Sequence, residues 1–297
     1  MSQSVSYTID GDIGVITVNN PPVNALSQHV RQGLHECFTA ADTDATVATI
    51  LICDGRTFIA GADITEFGKP MKPPHFSVTL KAMEDLSKPV IAAIHGTALG
   101  GGLETALCCH YRVAVPSAKV GLPEVHLGLL PGAGGTQRLP RLIGAQAAAD
   151  AIANGGHINA PAAHAAGVID ALVAEGDLLE GAKAFARKVI SEGAQLRKVR
   201  DMNDKVTGVD PAIFEAARAT ARKTRRGFLA PLNCIASVEA ACTLPFDEGL
   251  QREQELFQEL HDSVQSAAQQ HIFFSERAAS KVNDMPKDVG LYDIKHV

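Results

Sequence analysis

Two glutamates are the residues best suited to chemistry, because each interrupts an otherwise apolar stretch. Glu104 and Glu124 lie within residues 88–144, and neither has a Lys or Arg beside it for local pairing. A buried carboxylate is costly without a partner, so each needs a partner or a function. The sequence therefore marks this stretch as the candidate site.

Three glycines at 100–102 precede Glu104 at the start of a predicted helix. The first N–H groups of a helix lack intrahelical partners and carry partial positive charge. Glycine lets a ligand approach this backbone without meeting a Cβ atom. The pattern indicates an anion site suited to an enolate or another oxyanion. A glycine-rich turn packed under a strand, with a glutamate directed to solvent, fits the same residues equally well.

Four sequence segments carry a family resemblance. They are NPPVNAL at 20–26, FIAGADI at 58–64, HGTALGGGLETAL at 95–107 and GLPEVHLGLLPGAGGTQRLPRLIG at 121–144. In order and approximate spacing they resemble the enoyl-CoA hydratase/isomerase (crotonase) family, over roughly residues 5 to 190. The resemblance implies an α/β fold, the crotonase-like (ClpP/crotonase) superhelix of repeated ββα units, here with a C-terminal helical segment.

The resemblance also implies an activity, which is the addition of water to 2-enoyl-CoA thioesters in fatty-acid β-oxidation. Glu104 would activate the water, and Glu124 would supply the proton to C2. The backbone N–H groups of Ala62 and Gly101 would form the oxyanion hole. No metal and no separate cofactor is implied, since coenzyme A is part of the substrate. The substrate-binding positions implied are Ala60, Gly61, Ile64, Leu99, Gly102, Pro123, Pro131 and Gly132.

Other activities stay open at this stage. A 3,2-enoyl-CoA isomerase needs only one carboxylate, at the position of Glu124, so isomerisation is an alternative main activity or a second one. A non-catalytic acyl-CoA binding module is the alternative from another class, and it predicts the loss of one glutamate. A serine hydrolase is disfavoured because the chain has no GxSxG.

The elements that position these residues follow from apolar periodicity. Alternating and continuous apolar runs predict strands at 5–10, 14–19, 47–53, 90–94 and 168–173. Helices are predicted at 27–41, with Ser27 as N-cap, and at 78–86, 103–109, 145–154, 160–166, 178–191, 214–224 and 230–242. Residues 247–279 are predicted to form one long helix or two.

The predicted organisation is a hydratase core at 1–195, a linker at 196–212, a helical connector at 213–280 and a polar tail at 281–297. The connector resembles the segment that follows the hydratase module in multifunctional β-oxidation proteins. No GxGxxG occurs, so the dehydrogenase part is absent; that domain is expected downstream if the chain is a piece of a longer protein. Leu256, Leu260 and Val264 form an apolar stripe. We expect it to pack on its own core, which favours a monomer, with a homotrimer as the alternative.

Composition limits the partners and the location. The net charge is −6 without a basic run, which argues against nucleic acid as the main partner. No apolar run reaches the roughly 18 residues that a membrane span needs. The six cysteines fit no zinc pattern, and the adjacent Cys108 and Cys109 are expected to be buried thiols in a reducing compartment. We therefore expect a cytoplasmic protein whose main partner is an acyl-CoA thioester.

Overall fold

A computed structural model describes residues 4–66, 68–70 and 72–279. In this part of the chain, a six-stranded sheet has the order β1-β2-β3-β4-β6-β9, and a three-stranded sheet has the order β5-β7-β8. The strands are β1 Val5–Asp10, β2 Ile13–Val18, β3 Ala48–Cys53, β4 Val90–Ile94, β5 Thr97–Leu99, β6 Tyr111–Ala114, β7 Lys119–Gly121, β8 His157–Asn159 and β9 Ala171–Leu172.

The larger sheet is parallel except for the β1–β2 hairpin. Its central strand β4 is buried at every position, as its continuous apolar sequence requires of a strand covered on both faces. The smaller sheet continues directly from β4, because β5 begins after a turn at His95 and Gly96. This short sheet was not predicted. Its strands have three residues each, too few for periodicity to be visible.

Helices cover both sheets and then extend beyond them. They are α1 Gln28–Thr43, α2 Phe76–Glu84, α3 Gly101–Cys108, α4 Gly135–Ile143, α5 Ala145–Asn154, α6 Ala160–Ala166, α7 Leu178–Ser191, α8 Ala212–Thr224, α9 Ala230–Thr243, α10 Phe246–His261 and α11 Val264–Ala279. Short 3₁₀ helices occupy Ile64–Glu66, Glu124–Leu127 and Val199–Asp201. The predicted helices are confirmed with small shifts at their ends. The strand predicted at 168–173 is reduced to the two residues of β9.

The start of α1 differs from its predicted cap. Ser27 occupies the N-cap position, but its hydroxyl makes no capping hydrogen bond and instead contacts His29. The Glu66 carboxylate accepts the Gln28 N–H at 2.7 Å and also pairs with Arg31. A carboxylate distant in sequence therefore supplies the negative charge that the helix start favours.

The segment predicted as a linker, 196–212, is packed against the core. Val199 and Val206 are buried within it. Its Lys205 ammonium donates to the Leu142 carbonyl, and its Arg200 pairs with the buried Glu84 at 3.6 Å. Apolar burial and these polar contacts join the helical connector to the core.

The predicted apolar stripe is only partly correct. Leu256 and Leu260 are buried, but Val264 is 85% exposed. The helical pattern breaks after His261, and Ser263 becomes the start of a new helix by accepting the Ser266 N–H on its hydroxyl. Because α11 is a separate helix, Val264, four positions after Leu260, no longer lies on the same face as Leu256 and Leu260. The predicted polar tail at 281–297, together with residue 280, lies outside the described residues.

Candidate active site

The site forms where β5 ends and α3 begins. Gly100 has φ +52°, a conformation that favours glycine. A Cβ atom there would lie 2.8 Å from Oε1 of Glu124. Close approach at Gly100 thus places the Glu124 carboxylate against the start of the helix that carries Glu104. The two glutamates predicted from the sequence are brought together.

Glu104 is buried in the first turn of α3 and is held by the loop before α4. Its Oε1 accepts the Ala133 N–H at 2.7 Å and the Gly135 N–H at 2.9 Å. Burial raises the pKa of Glu104, while these two N–H groups and the Arg138 guanidinium lower it in part. Because both bonds go to Oε1, the second oxygen stays available to accept a proton.

Glu124 has a different environment from Glu104. Its Oε2 is buried and has no hydrogen-bond partner among the described residues. Burial raises the pKa of Glu124 well above its usual range, and the negative charge of Glu104 raises it further. Like charges nearby disfavour a second ionisation. The pair therefore suits one proton acceptor and one proton donor.

The two predicted oxyanion donors lie side by side. A Cβ atom on Gly101 would be 3.5 Å from the Ala62 nitrogen. Gly101 is the first residue of α3, and within the described residues neither N–H donates a hydrogen bond to another group. Gly61 positions this turn: it has φ +129°, and its carbonyl accepts the Leu26 N–H at 3.0 Å. Two adjacent unpaired N–H groups can bind the oxygen of a thioester carbonyl.

Three predicted substrate-binding residues surround this turn. The Ala60 N–H donates to the Val23 carbonyl, Ile64 begins the 3₁₀ helix after Ala62, and Leu99 ends β5 with its carbonyl facing Gly61. They border the oxyanion donors through backbone contacts.

The remaining predicted positions have packing contacts of their own. Pro123 precedes the 3₁₀ helix that begins at Glu124, and Pro131 packs against Gly135. A Cβ atom on Gly102 would lie 1.9 Å from the Ile59 carbonyl, so Gly102 is required for backbone packing. Gly132 lies beneath the Phe257 ring of α10. The connector therefore reaches the rim of the site.

Sequence reasoning missed two charged residues behind the site, Arg138 and Glu253. Arg138 forms two hydrogen bonds with the buried Glu84, both at 3.0 Å, and donates to the Ala133 carbonyl at 3.3 Å. Glu253 of α10 is fully buried and accepts the Gly134 N–H at 2.7 Å. A signal for Glu253 did exist, since it shares an apolar helical face with Leu256 and Leu260.

Comparison with known proteins decides the family. The model described as enoyl-CoA hydratase/isomerase matches residues 8–226. The chain belongs to this family. A peroxisomal bifunctional enzyme of Danio rerio is 46% identical over 271 residues, which cover 91% of this chain and 37% of that protein. A probable enoyl-CoA hydratase of Bacillus subtilis is 41% identical over 201 residues, which cover 65% of this chain and 78% of that one.

A solved structure agrees with the fold. The enoyl-CoA hydratase of Bacillus anthracis is 28% identical, with a TM-score of 0.60, over 92% of this chain and 97% of that one. The crotonase-like fold predicted from the sequence is thus confirmed. The chain spans little more than a third of the length of the bifunctional relative. Among the described residues, no helix has the length and apolar character to cross a membrane.

Proposed function

We propose that this chain is an enoyl-CoA hydratase acting on 2-enoyl-CoA thioesters in fatty-acid β-oxidation. The observation that carries the proposal is the unequal environment of two glutamates brought together at the start of α3. Glu104 receives two backbone hydrogen bonds, whereas Oε2 of Glu124 receives none from the described residues. Family membership and the resemblance to multifunctional β-oxidation proteins support the substrate class.

The reaction then follows from the positions of these groups. Glu104 removes a proton from water, and the water oxygen forms a bond to C3. The electron pair of the double bond moves towards the thioester carbonyl, whose oxygen gains negative charge beside the N–H groups of Ala62 and Gly101. Glu124 donates its proton to C2. Each preorganised N–H donor typically contributes about 10²–10³ in rate.

No separate cofactor is part of this proposal. Hydration adds the elements of water and transfers no net electrons, so it requires no redox group. Charge on the thioester oxygen is balanced by backbone dipoles, and protons move through the two glutamates. Coenzyme A enters as part of the substrate.

The test is loss of absorbance at the enoyl-thioester band with crotonyl-CoA and with a longer 2-enoyl-CoA. We expect turnover by the wild type and losses of about 10²–10⁴-fold in Glu104→Gln and in Glu124→Gln, because each loses one proton transfer. Both variants should still bind acyl-CoA. A variant that kept more than about a tenth of the wild-type rate would refute the role of that glutamate. A wild type that bound acyl-CoA without turnover would favour the binding-module alternative.

Isomerisation of 3-enoyl-CoA is the second candidate activity. It requires proton movement between C2 and C4, and the Glu124 carboxyl, with its buried Oε2 and raised pKa, is a suitable proton carrier. The presence of Glu104 favours hydration as the main activity, because isomerisation has no water to activate. Assaying both substrates with Glu104→Gln separates the two, since isomerisation should survive that change and hydration should not.

Assembly and location complete the proposal. We propose a monomer, because α10 packs over the loop before α4 of its own chain through Phe257 and Glu253. Light scattering that gave three times the chain mass would contradict it. The free cysteines support a reducing compartment such as the cytoplasm. Imaging of a tagged full-length protein tests this against a peroxisomal location.

A further inference from the structure

The loop between Gly132 and Thr136 is held from two sides by two buried carboxylates. Glu104 of α3 accepts the N–H groups of Ala133 and Gly135. Glu253 of α10 accepts the alternate N–H groups, from Gly134 at 2.7 Å and from Thr136 at 3.2 Å. Successive N–H groups of this loop therefore point to opposite sides. Each carboxylate is thereby held by two backbone N–H groups of the same loop.

Further contacts fix Glu253 in this position. Its Oε2 also accepts the Thr136 hydroxyl, which contacts the Ser237 hydroxyl of α9. Gly134, at the centre of the loop, has φ +93°, and a Cβ atom there would overlap the Arg138 guanidinium. The loop thus has a backbone conformation that requires glycine, and fully buried groups hold it on both sides.

We propose that Glu253 is a positioning residue for Glu104. It fixes the loop so that the Ala133 and Gly135 N–H groups point at the catalytic carboxylate. The connector then contributes directly to catalysis, although it lies more than a hundred residues after Glu104 in the chain. This inference rests on the proposed hydratase function.

The charged groups around this pair decide which of the two carboxyls ionises first. Burial, followed by the negative charge of Glu104, raises the pKa of Glu253 to about 8. Arg138 lowers the pKa of both carboxyls, and Glu253 in turn raises that of Glu124. The other titratable groups within reach are Glu84, Cys108 and Cys234. Because the charge of Glu104 raises the pKa of Glu253, Glu104 ionises first, and Glu253 acts on it through the hydrogen bonds to their shared loop.

Glu253→Gln and Glu253→Ala test this positioning role. The glutamine carbonyl can keep the bond from Gly134, and its amide can donate to the Thr136 hydroxyl, so of the bonds to Glu253 only the one from the Thr136 N–H is lost. Alanine leaves the Gly134 and Thr136 N–H groups buried without an acceptor, and the loop loses its outer support. Glu255→Gln is the matched control, because Glu255 lies on the exposed face of α10, where it pairs with the surface residue Arg252.

The first measurement is the pH dependence of kcat and kcat/KM with crotonyl-CoA. In Glu253→Gln we expect kcat and the acid limb to stay close to those of the wild type, because the amide keeps most of the loop contacts and Glu253 is already protonated where Glu104 ionises. In Glu253→Ala we expect kcat to fall by about 10²-fold, because a small displacement of the catalytic base is costly. Glu255→Gln should retain the wild-type profile and rate.

The second measurement needs no turnover. Infrared difference spectra between two pH values follow the protonated-carboxyl band in the free protein, with Glu253→Gln used to assign it. We expect a Glu253 midpoint of about 8 in the wild type and a lower one in Glu104→Gln, because the charge of Glu104 raises it. A wild-type kcat in Glu253→Ala, or a Glu253 midpoint that Glu104→Gln leaves unchanged, would overturn the inference while leaving the hydratase function intact. A wild type without hydratase activity would refute the function, and the infrared midpoint would still decide whether Glu253 and Glu104 are coupled across the loop.

Discussion

Gly102→Ala provides the most direct test of how backbone packing sets the oxyanion hole. Gly102 follows the proposed donor Gly101 in the first turn of α3. The new Cβ atom would lie 1.9 Å from the Ile59 carbonyl oxygen. Carbon–oxygen contacts are normally about 3.3 Å or longer, so the two backbones must separate by about 1.4 Å. The obstacle is backbone, which no side-chain rotation can relieve.

This displacement should affect both activity and stability. A shift of about 1 Å in a catalytic group can cost about 10²-fold in rate, so we expect kcat with crotonyl-CoA to fall by at least that factor. Overpacking of a buried site costs about 1–3 kcal/mol, so the urea midpoint should also fall. Turnover is followed by enoyl-thioester absorbance, and unfolding by circular dichroism.

Gly156→Ala is the matched control, because a Cβ atom there has nothing within 4 Å and the backbone is not in the left-handed region. We expect this variant to match the wild type in rate and stability. If Gly102→Ala kept the wild-type kcat and urea midpoint, the close packing of α3 on Ile59 would not set the geometry of the site. An equal loss of kcat and of the urea midpoint in Gly102→Ala and Gly156→Ala would also refute this explanation.

Three further predictions follow from the packing of single residues. Leu260→Ala should lower the free energy of unfolding by about 2–5 kcal/mol because Leu260 is buried, whereas Val264→Ala should change it little because Val264 is exposed; urea titrations of the two variants test this. Burial lowers the pKa of His110 to about 4, so as the pH falls from about 6.5 the unfolded chain binds a proton before the folded protein does, and about 3 kcal/mol of the free energy of unfolding should be lost by pH 4. His110→Gln should reduce this dependence of unfolding free energy on pH, and the same dependence in both proteins would contradict the prediction. Gly100→Ala should reduce hydratase activity more strongly than Gly156→Ala, because its Cβ atom would lie 2.8 Å from Oε1 of Glu124; equal kcat values would count against this contact.

The sequence by itself determined the candidate glutamates and the helix that carries Glu104. Glu104 and Glu124 were visible because polar residues within an apolar stretch are costly to bury. The strand at β4 and the helices α5 and α7 follow from runs and periodicities within about a dozen residues. The glycines at 100–102 indicated a backbone anion site, because only residues without a Cβ allow such an approach. All of these signals are local.

Tertiary structure alone decided which distant groups meet. Glu253 and Glu104 hold one loop from opposite sides, and no pattern within either segment specifies that encounter. Glu66 replaced Ser27 as the group that receives the first N–H of α1, because a long-range contact supplied a charged acceptor. Val264 became exposed because a break after His261 rotated the next helix away from the apolar face. Local propensity selects the elements, whereas long-range packing fixes their ends, their neighbours and the ionisation of buried groups.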